Sequence, residues 1–268
     1  MFNVKDRVVV ITGGYGVLGA SMARCLSELG AHVVIVGRKA EKGEALVAEL
    51  STLGAEALFC KADVLDREAL IAAKEAIIEK WGRIDVLINA AGGNMPGATI
   101  MPDKNIFDLD IDAYRTVLDL NLVGTVIPTL VFGEVMAKSG KGSIINISSM
   151  SSQQMITRVC GYSSAKAAID NFTKWCAMEM AKKFGEGLRV NAIAPGFFIT
   201  EQNRTLMTNP DGSHSDRAKD VIRNTPFGRL GEADELHGAV VFYASDASKF
   251  VTGTVLPIDG GFSIFSGV

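Results

Sequence analysis

The chain of 268 residues predicts an α/β fold, in which one doubly wound parallel sheet of about seven strands carries helices on both faces within a single domain spanning 1–268. Three observations predict it. Short β-branched runs alternate with longer stretches of helical period, a glycine-rich turn follows the first run directly, and no internal repeat or low-complexity tract interrupts the alternation.

The first run, at 8–12, reads Val-Val-Val-Ile-Thr, apolar in succession as a strand covered on both faces must be. A turn at 13–19 leads to a helical pattern at 18–29. Further strands are expected at 32–36, 57–61, 84–89, 142–148, 188–193 and 254–258, with helices between them at 41–53, 67–81, 111–139, 162–184 and 233–244. The stretch 196–225 carries no clear period. A loop of that length in a compact domain is a lid or a disordered segment, and its position after a strand end favours a lid.

Composition narrows the class of partner. A hydrophobic fraction of 48% with 21% charged residues supports a sizeable core, and a net charge of −3 gives no general attraction to nucleic acid or to an anionic membrane. A small-molecule substrate is expected. Cys25, Cys60, Cys160 and Cys176 are scattered, as are His32, His214 and His237, so the spacing suggests neither a disulfide framework nor a metal site. The chain passes from Met1 through Lys5, Asp6 and Arg7 into the first strand with no signal-peptide pattern, which leads us to expect a cytoplasmic protein. Uncharged stretches such as 120–133 fall short of the roughly 20 residues of a membrane span, and that one contains Pro128.

Two constellations carry chemistry. Gly14-Tyr15-Gly16-Val17-Leu18-Gly19 spells G-x-G-x-x-G between a strand and a helix, which sets backbone amides and a helix N-terminus against a pyrophosphate. The second strand then ends in Gly37-Arg38-Lys39. A carboxylate there would accept hydrogen bonds from a free ribose diol; its absence beside Arg38 and Lys39 favours NADP(H), with NAD(H) the alternative. Asp63 either meets the adenine amino group or caps the following helix.

The second constellation is Tyr162 and Lys166, four apart and therefore on one helical face, preceded by Ser149. An isolated phenol has a pKa of about 10, and reaching about 7 requires roughly 4 kcal/mol of preferential phenolate stabilisation. A neighbouring ammonium and an oxidised nicotinamide would supply it. Hydride leaves carbon as a proton leaves oxygen, so a base must meet the hydroxyl while a second donor steadies the oxyanion. Tyr162 is the expected acid/base and Ser149 the donor to the substrate oxygen.

These residues resemble the short-chain dehydrogenases/reductases from Thr12 to Asp259-Gly260-Gly261. The nucleotide turn has one departure, Val17 where the family's middle glycine stands. Asn89-Ala90-Ala91-Gly92 is similar to its Asn-Asn-Ala-Gly segment, and Asn121, Ser149, Tyr162 and Lys166 match its catalytic tetrad in order and spacing. The resemblance implies a single-domain Rossmann fold and a homotetramer. It implies coenzyme contacts from Gly13, Tyr15, Gly16, Val17, Leu18, Gly19, Asp63, Val64, Asn89, Ala91 and Gly92, from Tyr162 and Lys166, and from Pro195, Gly196, Phe198 and Thr200. Within that family Lys166 binds the nicotinamide ribose and Asn121 holds a water that connects Lys166 to solvent.

A narrower branch of the same family, the D-mannonate oxidoreductases or fructuronate reductases, is similar in 91–96, 194–204, 225–229 and the tail at 261–268. It implies a sugar acid as substrate. Arg158 and Arg204 are then candidate carboxylate clamps, or else surface charges or subunit contacts, with Asn94, Ser151, Gln154, Gln202 and Asn203 as hydroxyl partners. Gly37-Arg38 departs from the acidic residue that often stands in this branch with NAD. Two other readings stay open: an enzyme of the same family for another carbonyl, such as a 3-oxoacyl thioester or a polyol, and a nucleotide-binding sensor without turnover.

Overall fold

The structure, a computed structural model, describes residues 1–267 except Gln202. Its seven strands are β1 (Val8–Thr12), β2 (His32–Gly37), β3 (Ala57–Lys61), β4 (Val86–Asn89), β5 (Gly142–Ile147), β6 (Leu188–Pro195) and β7 (Val255–Ile258). They form one sheet in the order β3-β2-β1-β4-β5-β6-β7, parallel at every pairing. The order reverses between β1 and β4, and a crevice opens there beyond the strand ends, where open α/β sheets bind ligands.

Helices cover both faces: α1 (Val17–Glu28), α2 (Ala40–Leu50), α3 (Arg67–Trp81), α4 (Ile111–Leu118), α5 (Gly124–Ser139), α6 (Cys160–Phe184), α7 (Arg204–Met207), α8 (Asp216–Arg223) and α9 (His237–Ala244). Alternating side chains of one strand feed two cores. Val9 and Ile11 join Met22, Leu26 and Val240 on one face, whereas Val8 and Val10 join Leu70, Ile77, Phe132 and Met136 on the other. This explains why β1 reads as a continuous apolar run.

The helical period over 111–139 is one rod with a defect. Between α4 and α5 the turn Asp119–Val123 is π-helical, and this wider turn displaces the register at Asn121. By length and composition the rod is apolar enough to cross a membrane, but Val131, Phe132 and Met136 lie in the core against the sheet. Leu130 on α5 and Trp175 and Met178 on α6 stay exposed.

The expectation of an irregular stretch at 196–225 needs correction, since it contains α7 and α8. Ser215 caps α8 by accepting from the Ala218 amide at 3.2 Å. Met207, Ala218 and Val221 then pack with Phe197, Leu230 and Phe262 into a small core of their own. Each helix is too short to stand alone, and tertiary burial rather than a long periodic pattern stabilises them.

Candidate active site

The glycine turn is built by close approach. Gly13 has φ +63°, and a Cβ there would lie 2.8 Å from the Ala91 Cα beyond β4, so the two loops touch backbone to backbone. A Cβ on Gly19 would meet the Gly13 carbonyl oxygen at 2.8 Å. Val17, the departure from the family pattern, is simply the first residue of α1, and Gly16 before it is extended at φ −70°, ψ 166°. Neither position needs left-handed backbone. Among the described residues no side chain caps α1 and no acidic residue occupies its first turn, which leaves its first amides free for an anion. These residues fit a dinucleotide pyrophosphate.

At the far end of that crevice, the Tyr15 hydroxyl accepts from the amides of Arg38 at 3.0 Å and Lys39 at 3.1 Å. Its ring lies over Gly37, where a Cβ would come within 2.3 Å of ring carbon Cε1. Gly37 is thus the seat of an aromatic ring as well as the position lacking a carboxylate. Arg38 is exposed and pairs with Asp63 at 3.5 Å. Asp63 does not cap α3, a role taken by Asp66 through the Ala69 amide; it accepts instead from Leu65 at 3.0 Å. Val64 is buried against Gly124, and Lys39 stands just ahead of α2.

Asn89 lies beneath the crevice, fully buried, giving its amide protons to Thr129 Oγ1 and Asn146 Oδ1. Asn146 continues to Thr173, and Thr129 continues through Thr125 to the Asn121 carbonyl, so a series of buried polar groups ties α5 and α6 to β4 and β5. Asn121 itself grips the loop after β4. Its Nδ2 donates to Gly93 O at 2.7 Å and Val117 O at 2.8 Å, and its Oδ1 accepts from Gly93 N at 3.1 Å. The Val117 carbonyl is within side-chain reach because the π turn breaks the regular α ladder there.

Gly92 marks where Asn121 and Lys166 converge. A Cβ there would stand 2.6 Å from Asn121 Oδ1 and 3.4 Å from Lys166 Nζ. Asn121 is held by three hydrogen bonds and cannot retreat cheaply. We therefore expect Gly92→Ala to lower kcat and to cost about 1–3 kcal/mol of stability, as overpacking does. Urea titration with steady-state kinetics checks this; wild-type values for both would show that the close approach is immaterial.

Ser149, Tyr162 and Lys166 come together as the spacing predicts. Ser149 precedes a short 3-10 turn and Tyr162 lies in the first turn of α6. Both line a cleft of about 540 Å³ whose wall also includes Leu18, Asn94, Pro195, Gly196, Phe198 and Thr200. Lys166 lies behind the wall with its Nζ 5.3 Å from the Tyr162 ring centroid, donating to Ile147 O at 2.7 Å. Burial pushes the Tyr162 phenol above its ordinary range, and the hydrogen bond with Ser149 works in the opposite direction. Burial lowers Lys166 to about 8, opposed by the charge of Asp170. The ammonium acts on the phenol through its field. That field favours the phenolate over the phenol.

Asp170 was missed in the sequence, although Tyr162, Lys166 and Asp170 follow one another at successive turns of one helix face. It is buried and accepts from the hydroxyls of Ser148 and Ser152, the latter at 2.5 Å. Those serines bracket Ser149, so one carboxylate holds the turn presenting the Ser149 hydroxyl and biases Lys166 toward its charged form. Arg217, also missed, lines the cleft from α8.

The proposed substrate contacts divide. Asn94 lines the cleft with its Nδ2 bound to Thr99 and its buried Oδ1 unpartnered among the described residues. Asn203 also lines it, but its amide is committed to Thr200 N and Phe198 O. Ser151 is fully buried and Gln154 exposed, both outside the lining. Arg158, at φ +78°, is half-buried beside Arg217, whereas Arg204 is exposed and outside the lining. Gln202 lies outside the described residues.

Comparison with known proteins gives consistent results. Residues 16–263 match the family model described as enoyl-(acyl carrier protein) reductase. An uncharacterised oxidoreductase of Bacillus subtilis, UxuB, is 44% identical over 99% of this chain and 98% of its own. A Haemophilus influenzae protein crystallised with NAD, provisionally named a D-mannonate oxidoreductase, superposes with a TM-score of 0.91 at 40% identity, covering 99% of this chain and 98% of its own. A gluconate 5-dehydrogenase from Burkholderia cenocepacia, in complex with NADP and tartrate, superposes with a TM-score of 0.86 at 32% identity, covering 98% and 97%.

Proposed function

The chain belongs to the short-chain dehydrogenase/reductase family and is a nicotinamide-dependent oxidoreductase, and on that premise we propose that it interconverts a secondary alcohol and a ketone of a sugar acid of the D-mannonate/D-fructuronate type, preferring NADP(H) to NAD(H). The observation that carries this reading is the cleft, whose wall brings Ser149 and Tyr162 together with Asn94. A hydroxylated substrate suits such a wall. The names of the Haemophilus and Burkholderia proteins, and the tartrate bound to the latter, support the same substrate class.

When bound, the coenzyme supplies or takes up the hydride. In the reducing direction the Tyr162 phenol, protonated at neutral pH, gives its proton to the substrate oxygen while Ser149 donates a hydrogen bond to that oxygen. In the oxidising direction the same phenol must ionise, and the Lys166 ammonium stabilises the phenolate. Asp170 keeps the turn carrying Ser149 in place and opposes the loss of the Lys166 proton.

The coenzyme preference rests on Gly37, which offers the ribose no carboxylate, and on the exposed guanidinium of Arg38. An acyl-carrier substrate, suggested by the description of the family model, calls for a basic surface around the cleft entrance; among the described residues that line the cleft itself, Arg217 is the one cation.

A panel of aldonates and keto-uronates, assayed with NADPH and NADH beside a 3-oxoacyl thioester and simple polyols, tests both halves of the proposal. We expect the highest kcat/KM with a sugar acid and NADPH. Faster turnover of the thioester or of a neutral polyol would reject the substrate assignment, and a higher kcat/KM with NADH would reject the coenzyme preference.

A further inference from the structure

We propose that Arg217, on the lid helix α8, is the anion-binding residue of the cleft and takes the carboxylate of the substrate. The inference deepens the sugar-acid reading and rests on it for the identity of the carboxylate.

Four observations point to this residue. Arg217 is the only cation among the residues lining the cleft that also contains Ser149 and Tyr162. Its guanidinium is aimed by two bonds to one residue, from Nη1 to Thr157 Oγ1 at 3.0 Å and from Nη2 to Thr157 O at 3.3 Å. Thr157 lies five residues before Tyr162, so the fork ties α8 to the segment that delivers the acid/base. Two bonds leave the remaining guanidinium protons of its five for a ligand.

Arg217 is also half-buried and has no ion-pair partner in contact with it among the described residues. The acidic residues of its own helix are engaged elsewhere: Asp216 with Lys219 at 3.0 Å, Asp220 with Arg223 at 3.0 Å. Burial and the like charge of Arg158 lower the pKa of Arg217, and the charge of Asp220 opposes them only in part. A desolvated guanidinium beside a second cation is costly unless an anion joins them. A planar carboxylate is the anion that a guanidinium fork receives in bidentate fashion.

This placement gives the lid a chemical role. The carboxylate of a bound acid would draw α8 and the segment before α6 onto one ligand, closing the cleft over the carbon that reacts at Tyr162. A neutral polyol of the same length has no such purchase.

The test measures binding by calorimetry to the coenzyme-loaded enzyme, with L-tartrate as the acidic probe and L-threitol as its neutral counterpart. We expect Arg217→Gln to weaken tartrate binding at least tenfold, as the loss of a charge-assisted pair does. Arg217→Lys should restore part of it, and threitol binding should be equal in all three proteins. Tartrate binding unchanged in Arg217→Gln, threitol binding weakened in parallel, or no tartrate binding by the wild type would each overturn the proposal. Tartrate binding that depends on Arg217 in an enzyme that turns over no sugar acid would reject the proposed substrate and leave the anion site standing.

Discussion

Substituting Tyr162→Phe is expected to lower kcat by about 10²- to 10⁴-fold, the range a positioned general acid contributes, with coenzyme affinity nearly unchanged. The phenyl ring preserves the packing of Tyr162 at the start of α6 and beneath the Lys166 ammonium, which stands over the ring 5.3 Å from its centroid. Only the hydroxyl is lost. The dinucleotide cradle is built from the Gly13 turn and the start of α1, neither of which depends on the phenol. Steady-state kinetics with fluorescence titration of the reduced coenzyme separates the two effects. Turnover at the wild-type rate would reject Tyr162 as the acid/base, and a matching loss of coenzyme affinity would show that the substitution had disturbed the site as a whole.

The second large effect concerns Lys166 and combines activity with stability. Lys166→Met is expected to cost roughly 10²-fold in kcat, the equivalent of about 3 kcal/mol of barrier, because the phenolate loses its neighbouring cation. Its stability should move differently. In the folded protein the ammonium titrates at about 8 against an ordinary 10.5. Below pH 8 both states hold the proton and the folded state bears the full burial penalty. Between about 8 and 10.5 the folded state releases its proton while the unfolded chain keeps it, so wild-type stability rises with pH across that window. The gap corresponds to about 3 kcal/mol. Urea unfolding of both proteins should show the wild type gaining that amount on Lys166→Met between the two ends of the window. Parallel profiles would mean that Lys166 is not desolvated in the folded enzyme.

Much of the architecture is legible in one dimension because parallel strands covered on both faces must be apolar in succession. Val8–Thr12, Ala57–Lys61 and Arg67–Trp81 have the bounds that their patterns give. The run at 111–139 has one helical period, yet it contains a π turn at Asp119–Val123, because an inserted residue leaves little mark on apolar spacing. Helices α7 and α8 escaped notice because four and eight residues are too few to establish a period; they stand by packing Met207 and Val221 against Phe197 and Phe262.

The same division runs through the site. Residues whose roles depend on local spacing, such as the glycine turn and the Tyr162–Lys166 pair one helical turn apart, can be found by reading along the sequence, since φ/ψ geometry alone brings them together. Residues whose roles depend on distant neighbours cannot. Asp170 matters because Ser148 and Ser152 come to it from another element, and the seat of the Tyr15 ring over Gly37 on β2 is likewise a contact that local spacing does not show. Arg217 looks like any surface cation of a short polar helix until the fold brings it against Thr157 and beside Arg158. Backbone periodicity is a property of neighbours in sequence, whereas desolvation and the pairing of charges are properties of neighbours in space.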